Sequence, residues 1–305
     1  MKMLKILRQI GKVNFPSISV SQVVSFQKCS LRAILSSLTF RDIVRPYQSW
    51  VLSRGTMGHL LIKNFPIFCE YLMENDSYEF NELDDYLTVV KEKFDIIWKW
   101  CLDELQQSDH RQEDYANIMG RHDQLYKEMQ KILGTFIKKY PRSLEPFIFN
   151  EKLFKWDYLG GRLDRLYRSL TLADWKFSSK GLEFNKKEYQ YNFGGYTKLV
   201  LENGYKILKA EIVIPKIKKC DYTSYDYYEL KILMEKFTDM YLKLKKRMKL
   251  FIEKGEYEKF PKLDPSDCNY CFVNSACRRL HLEEQENSNV EIEVVGETFD
   301  DEPEW

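Results

Sequence analysis

The sequence predicts an α/β protein in which helices precede and follow a small sheet, and three observations carry that expectation. Up to about residue 140, apolar residues recur at three- and four-residue steps, the spacing of helices with one buried face. From 146 to 178 the chain breaks into short runs rich in aromatic and branched residues, separated by turn formers, which is the pattern of consecutive strands. Beyond that, helical spacing returns and ends in a long basic stretch at 226–254. With 305 residues, 44% of them apolar and 30% charged, the chain has the composition of a folded globular protein. No apolar run approaches the roughly 20 residues that span a bilayer, so no membrane partner is expected.

In chain order, "MKMLKILRQIGKV" is basic and amphipathic and predicts a short N-terminal helix packing on the domain. Ser19 or Ser21 can cap a helix running to about Ser37. A second helix is expected over "SWVLSRGTMGHLLIKNFPIF", broken or bent by Pro66, which has no N–H to donate. Leu83, Leu87, Val90, Phe94, Ile97 and Cys101 share one face of a helix over 82–105, and a further helix should run from about Glu113 to Tyr140. Residues 70–145 therefore read as a helical layer or insertion. "PFIFNEKLFKW", "GGRLDRLY" and "LTLADWKFS" are the strands, 186–202 a helix, "YKILKAEIVIP" a strand and 226–254 the last helix.

Charge is uneven along the chain. Residues 283–305 hold ten acidic side chains and no Lys or Arg, so the preceding 282 residues carry +11 although the whole carries +1. A basic body suits a polyanionic partner, because Lys and Arg on phosphates release counterions. The segments "IPKIKKC" and "KLKKRMKLFIEK" are candidates for gripping a phosphate backbone; a solvated amphipathic helix is the alternative for the second. The chain is read as one domain over 1–282 followed by an acidic, disordered tail at 283–305, a candidate site for a protein partner or a mimic of nucleic acid.

Seven cysteines are present. Cys268, Cys271 and Cys277 form C-x2-C-x5-C, a spacing typical of metal or cluster ligation rather than of a disulfide framework. Cys69 and Cys101 fall on apolar helix faces and Cys220 has no evident partner, which leaves Cys29 as fourth ligand. His281 keeps zinc open, and spacing alone does not separate zinc from an iron-sulfur cluster.

"GGRLDRLYRSLTLADWKFSSK" sets Asp164, Asp174 and Lys176 in strand-forming sequence. Residues two apart share a strand face, so Asp174 and Lys176 project together and Trp175 faces away. Whether Asp164 joins them depends on one loop. A two-residue loop at Arg168 and Ser169 sends the aspartates to opposite faces, whereas an odd loop, Arg168 to Leu170, sets them directly opposite each other. Like charges facing across a sheet repel; Mg²⁺ or Mn²⁺ relieves the conflict by taking carboxylate oxygens and keeping waters for a phosphate. The Lys176 ammonium would orient or help deprotonate such a water, or stabilise charge developing on the phosphate. The chemistry is metal-assisted phosphodiester hydrolysis; the alternative is a solvent-facing hairpin with ordinary surface charges. His59, beside Gly58 in "SRGTMGHLLI", is a further candidate ligand.

Taken in order, "SVSQVVSFQKCS", "GTMGHLL", "GGRLDRL", "LADWKFSS" and the C-x2-C-x5-C set resemble the PD-(D/E)XK nuclease superfamily in its RecB-like branch with an iron-sulfur cluster. That branch includes AddB-type helicase-nucleases, exonuclease V and the nuclease of CRISPR spacer acquisition. The resemblance implies a restriction-endonuclease-like core with a small central mixed sheet flanked by helices, plus a helical layer and an iron-sulfur cluster region. It also implies catalytic roles for His59, Asp164, Asp174 and Lys176, with the metal on His59, Asp164, Asp174 and the Trp175 carbonyl. Cys29, Cys268, Cys271 and Cys277 would hold a [4Fe-4S] cluster, with zinc the secondary occupant.

The family shows Gln four residues before Tyr on the helix after the sheet. Here Asn192 stands four before Tyr196 and Gln190 six before it, so Tyr196 and Gln190 are the DNA-contact candidates. The implied protein is a cytoplasmic, nucleoid-associated or phage-encoded DNA exonuclease acting on single strands or DNA ends, in repair, recombination, phage DNA processing or CRISPR adaptation. The rival is a DNA-binding or scaffolding module that keeps the fold and cluster without turnover.

Overall fold

Ser19 opens the first capped helix of the chain. Its hydroxyl accepts from the Gln22 N–H at 3.3 Å while the Gln22 side chain accepts from the Ser19 N–H at 2.6 Å, a reciprocal capping box. In the computed structural model, residues 2–13, 15–38, 50–108, 111–177, 186–256 and 277 are described. They fall into two compact units, one of Met1–Pro46 with Thr238–Trp305 and one of Tyr47–Phe237.

In the first unit, α1 (Lys2–Val13) is tied to the last helix by Arg8, whose Nε donates to the Ile252 carbonyl at 3.0 Å. After the two-residue extended β1 (Ile18–Ser19), the helix expected to reach Ser37 is interrupted at 27–29. It becomes α2 (Val20–Phe26) and α3 (Ser30–Leu38), joined again when Gln22 Nε2 donates to the Ser36 carbonyl at 2.8 Å. Leu31, Ile34, Leu35 and Leu38 fill its core.

The second unit begins with α4 (Trp50–Asn75), which passes through Pro66 without breaking. The Ile62 carbonyl, which Pro66 cannot serve, accepts from Arg165 Nη2 at 2.7 Å instead. The helix expected over 82–105 is two, α5 (Leu83–Glu92) and α6 (Phe94–Gln106), parted at Lys93. The next is also two, α7 (Gln112–Met119) and α8 (His122–Lys139), parted at Gly120, where the missing side chain weakens helix propagation. These helices are a layer of the sheet's own core: Phe68, Phe94, Ile97, Met129 and Phe136 bury with Tyr167, Ala173, Trp175 and Val213 of the strands in one cluster.

The strands β2 (Phe147–Trp156), β3 (Leu159–Tyr167), β4 (Thr171–Trp175), β5 (Lys209–Pro215) and β6 (Cys220–Asp226) lie in that spatial order. All neighbours are antiparallel except β4 and β5, which run parallel, so the sheet is mixed, as expected. The crossover between β4 and β5 contains α9 (Lys186–Glu202), and α10 (Tyr227–Lys254) follows β6. Strand β6, "CDYTSYD", escapes the sequence reading because an edge strand with one buried side chain carries little apolar signal. No helix among the described residues is long and apolar enough to cross a membrane.

Cys69 and Cys101 are buried, and burial pushes both thiols up to about 12, the behaviour of small hydrophobes rather than of thiolate ligands. Where α9 meets α10, a Cβ on Gly194 would lie 2.3 Å from the Leu233 carbonyl oxygen and 2.8 Å from Phe237 Cβ. Backbone cannot yield as a side chain does. Gly194→Ala is therefore expected to cost about 1–3 kcal/mol, read as a lowered urea midpoint with an unchanged m-value.

Candidate active site

Every residue of β4 is buried, including Asp174, which is 4% exposed. The connection from β3 is the three-residue loop Arg168–Leu170, closed by the Leu170 N–H donating to the Tyr167 carbonyl at 2.9 Å, with Leu170 in the left-handed region at φ 62°. The register pairs Arg165 with Ala173 and so sets Asp164 directly opposite Asp174. This is the odd-loop geometry. Asp164, 6% exposed, accepts the Trp175 N–H at 2.5 Å, while the Lys176 ammonium donates to Asp174 at 2.8 Å. The Trp175 ring turns to the other face, against Phe136 and Tyr140.

Helix α4 brings His59 to the pair. Its Nδ1 lies 3.5 Å from Asp164 Oδ1 and 3.2 Å from Glu151 Oε1, and its ring centroid is 5.4 Å from that of Phe177. Gly58 permits this approach, since a Cβ there would stand 2.3 Å from the Phe177 ring. Gly58→Ala is expected to keep the fold, because a side-chain ring can swing aside, yet to displace His59 and weaken Mn²⁺ binding about 10-fold by titration calorimetry.

Glu151 went unnoticed in the sequence. It lies in β2, in "FIFNEKLFKW", between Asn150 opposite Arg165 and Lys152 opposite Leu163, which brings it level with Asp164. Its φ of 52° is a left-handed conformation in the middle of a strand, a strain concentrated where the carboxylates meet. The only trace in the sequence is a carboxylate in a predicted strand, which is also how an ordinary exposed position reads. Ligand atoms of His59, Glu151 and Asp164 all lie within 4.8 Å of one another, a nitrogen and oxygen donor set that fits a hard divalent ion. Among the described residues Asp174 stands outside that set, held by Lys176.

Burial raises the Asp164 carboxyl to about 7, with Asp174 and Glu151 adding to the rise against the opposing pull of His59 and Lys176. For His59, burial pushes down, but Asp164 and Glu151 outweigh it and the imidazole is raised. Lys176 is likewise raised against burial, chiefly by Asp174, so it stays an ammonium rather than a base. Tyr196 on α9, within range of the charges of Asp174 and Lys176, is kept protonated by burial first and by Asp174 second. Tyr189, on the same helix, sets its ring 5.8 Å from the Lys176 ammonium. Gln190 makes none of these contacts.

A pH dependence follows from Asp164. The folded protein holds a proton there that the unfolded chain has already lost, so the stability from this group is complete below about pH 4 and disappears as pH rises through about 7. A divalent ion competes with that proton. The rise in melting temperature on adding Mg²⁺ is therefore expected to be larger at about pH 8 than at about pH 6, measured by thermal melts with and without chelator.

Cys29 is buried just before α3, where its sulfur accepts the Arg32 N–H at 3.2 Å. Cys277 is half-buried, and Cys268, Cys271 and the tail at 283–305 lie outside the described residues.

A family model described as the PD-(D/E)XK nuclease superfamily matches residues 17–278. No curated protein matches the chain. Among solved structures the chain is similar to one described as "Crystal structure of SSO0001", at 12% sequence identity and a TM-score of 0.27, with 90% of this chain and 94% of that chain covered.

Proposed function

The chain belongs to the PD-(D/E)XK nuclease superfamily, and from that membership we propose a metal-dependent DNA exonuclease of RecB-like type, acting on single strands or DNA ends. Repair, recombination, phage DNA processing and CRISPR adaptation are the settings such an activity serves. The observation that carries the proposal is the register that sets Asp164 opposite Asp174 on a buried face, with the Lys176 ammonium on Asp174 and His59 and Glu151 alongside. A buried carboxylate cluster of this kind is costly without a cation.

In this reading His59, Asp164 and Glu151 hold Mg²⁺ or Mn²⁺, with Asp174 and the Trp175 carbonyl completing the donors. The ion, when bound, supplies Lewis acidity and a lowered pKa for coordinated water. Lys176 remains cationic and neutralises charge that builds on the phosphoryl oxygens as water adds and the P–O bond to the leaving oxygen breaks. The Tyr196 phenol, kept protonated, donates to a phosphate oxygen of the bound strand.

For the strand itself, Lys131, Lys138, Lys139 and Lys218 line a cavity of about 300 Å³ with Thr135 and Ile217, and none of the four is ion-paired among the described residues. They are our candidates for the phosphate path. Of the other lysines in "IPKIKKC", Lys216 and Lys219 share the single carboxylate of Asp221, at 3.3 and 2.9 Å. The segment "KLKKRMKLFIEK" carries i,i+4 pairs, Lys243 with Asp239 and Lys249 with Glu253, which favour the solvated-helix reading.

Cys29, Cys268, Cys271 and Cys277 are proposed to hold a [4Fe-4S] cluster, supported by the C-x2-C-x5-C spacing. Iron and acid-labile sulfide in anaerobically purified protein, absent when Cys29 is replaced by Ser, test this assignment; stoichiometric zinc overturns it.

Digestion of end-labelled single- and double-stranded DNA with Mg²⁺ or Mn²⁺ tests the nuclease reading. Wild type is expected to shorten linear DNA from its ends and spare single-stranded circles, and Lys176→Ala to leave both intact. Equal activity in the two proteins, or none in either, overturns the reading; cleavage of circles overturns the exonuclease mode.

A further inference from the structure

Helix α4 carries a defect that the strands repair. Pro66 offers no N–H, so the Ile62 carbonyl four residues earlier loses its helical partner inside the core. Ile62 O accepts from Arg165 Nη2 at 2.7 Å, and the next carbonyl, Lys63 O, accepts from Asn150 Nδ2 at 2.9 Å. The two donors are themselves joined, since Asn150 Oδ1 accepts from Arg165 Nε and Nη2, each at 3.2 Å, across a pair in direct β2–β3 register.

The positions of these four residues along the chain give the contacts a further consequence. Ile62 and Lys63 lie one helical turn past His59. Arg165 directly follows Asp164, and Asn150 directly precedes Glu151. The circuit therefore closes: from His59 along one turn of α4, across two hydrogen bonds to Arg165 and Asn150, one residue along each strand to Asp164 and Glu151, and back to His59 Nδ1 at 3.5 and 3.2 Å. Arg165 is 1% exposed, with its guanidinium over the rings of Phe147, Trp175 and Tyr167 at 4.9, 5.4 and 5.8 Å. No carboxylate pairs with it among the described residues. A buried cation without a counter-charge is expensive, and a Met of similar length would fill the space at lower cost. The hydrogen bonds to α4 explain why an arginine is there.

We propose that Arg165, assisted by Asn150, is a positioning residue that registers His59 against Glu151 and Asp164 by capping the carbonyl orphaned by Pro66. The inference rests on the reading that these three side chains hold a divalent ion, but not on turnover of DNA.

The test is Mn²⁺ binding by titration calorimetry, with thermal melts alongside, on the full chain. Arg165→Met is expected to weaken Mn²⁺ about 10- to 100-fold, the range for losing a residue that orients a metal ligand. Pro66→Ala returns an N–H to Ile62 O, so in Arg165→Met/Pro66→Ala the affinity should recover beyond additivity by more than about twofold. Arg165→Lys, which keeps the charge and a single donor nitrogen in place of the guanidinium fork, should fall between wild type and Arg165→Met.

Wild-type affinity in folded Arg165→Met overturns the proposal, as does an additive double variant, for then Arg165 serves stability alone. If Arg165→Met does not fold, Asn150→Ala decides: weakened Mn²⁺ binding supports the clamp and unchanged binding overturns it. Absence of Mn²⁺ binding in wild type sinks the clamp and the metal site together. A protein that binds Mn²⁺ in this pattern yet leaves DNA intact keeps the clamp and loses the nuclease reading.

Discussion

Asp164→Asn is expected to abolish divalent-ion binding and to lower DNA hydrolysis by more than about 100-fold, the upper end of what losing an outer-shell partner produces. The substitution is close to isosteric, and an amide oxygen still accepts the Trp175 N–H that Asp164 accepts at 2.5 Å. The fold therefore loses no hydrogen bond from that strand. It sheds a buried charge whose carboxyl is already pushed up to about 7 by burial, Asp174 and Glu151. The metal-free variant should accordingly melt no lower than metal-free wild type at about pH 8, where wild type is obliged to ionise the group. Calorimetric titration with Mn²⁺, melts in chelator and end-labelled digestion together separate a lost ligand from a lost fold. A variant that unfolds, or one that binds Mn²⁺ normally, contradicts this account of Asp164.

Trp175→Ala should have the largest effect on stability, about 3–5 kcal/mol, because a fully buried Trp leaves a cavity that its neighbours only partly fill. The ring packs edge-on against Phe136 and Tyr140 of the helical layer, with the Arg165 guanidinium 5.4 Å from its centre. Trp175 is the last residue of the five-residue β4, between Asp174 on the strand and Lys176 just past its end, so its anchorage holds the aim of both. Trp175→Phe is the control. The indole N–H has no hydrogen-bond partner among the described residues, so Phe forfeits only volume, about 1–2 kcal/mol. Urea unfolding of both variants measures the difference; equal costs would show that a phenyl ring recovers none of the packing, against this account.

How much was legible varies with the range of the interaction. The aspartates and the lysine stood out because charged side chains in strand-forming sequence conflict with the local pattern, His59 through its place beside Gly58 and the motif it resembles, and the structure brings all of them to one cluster. Glu151 did not, since a carboxylate in an edge-like strand is unremarkable until its register against Asp164 and its φ of 52° are seen. The interruptions at Lys93 and Gly120 were hidden for a similar reason. Apolar spacing runs on across a break in the helix when both pieces face the same core. At Pro66 the helix does not break, because the local rule that proline breaks a helix ignores a donor reaching in from 103 residues away.

By itself the sequence determined the class of fold, the mixed set of carboxylate, lysine and histidine, and the alternation that sends Asp174 and Lys176 to one face, since each depends on residue type and on spacing within a single element. Tertiary structure alone decided the parity of the Arg168–Leu170 loop, the placing of Glu151 beside His59 and the ion pair between Asp174 and Lys176. Those outcomes depend on how strands pair and how a helix is pinned to them. Pairing energies are summed over many distant contacts, so no short stretch of chain records them.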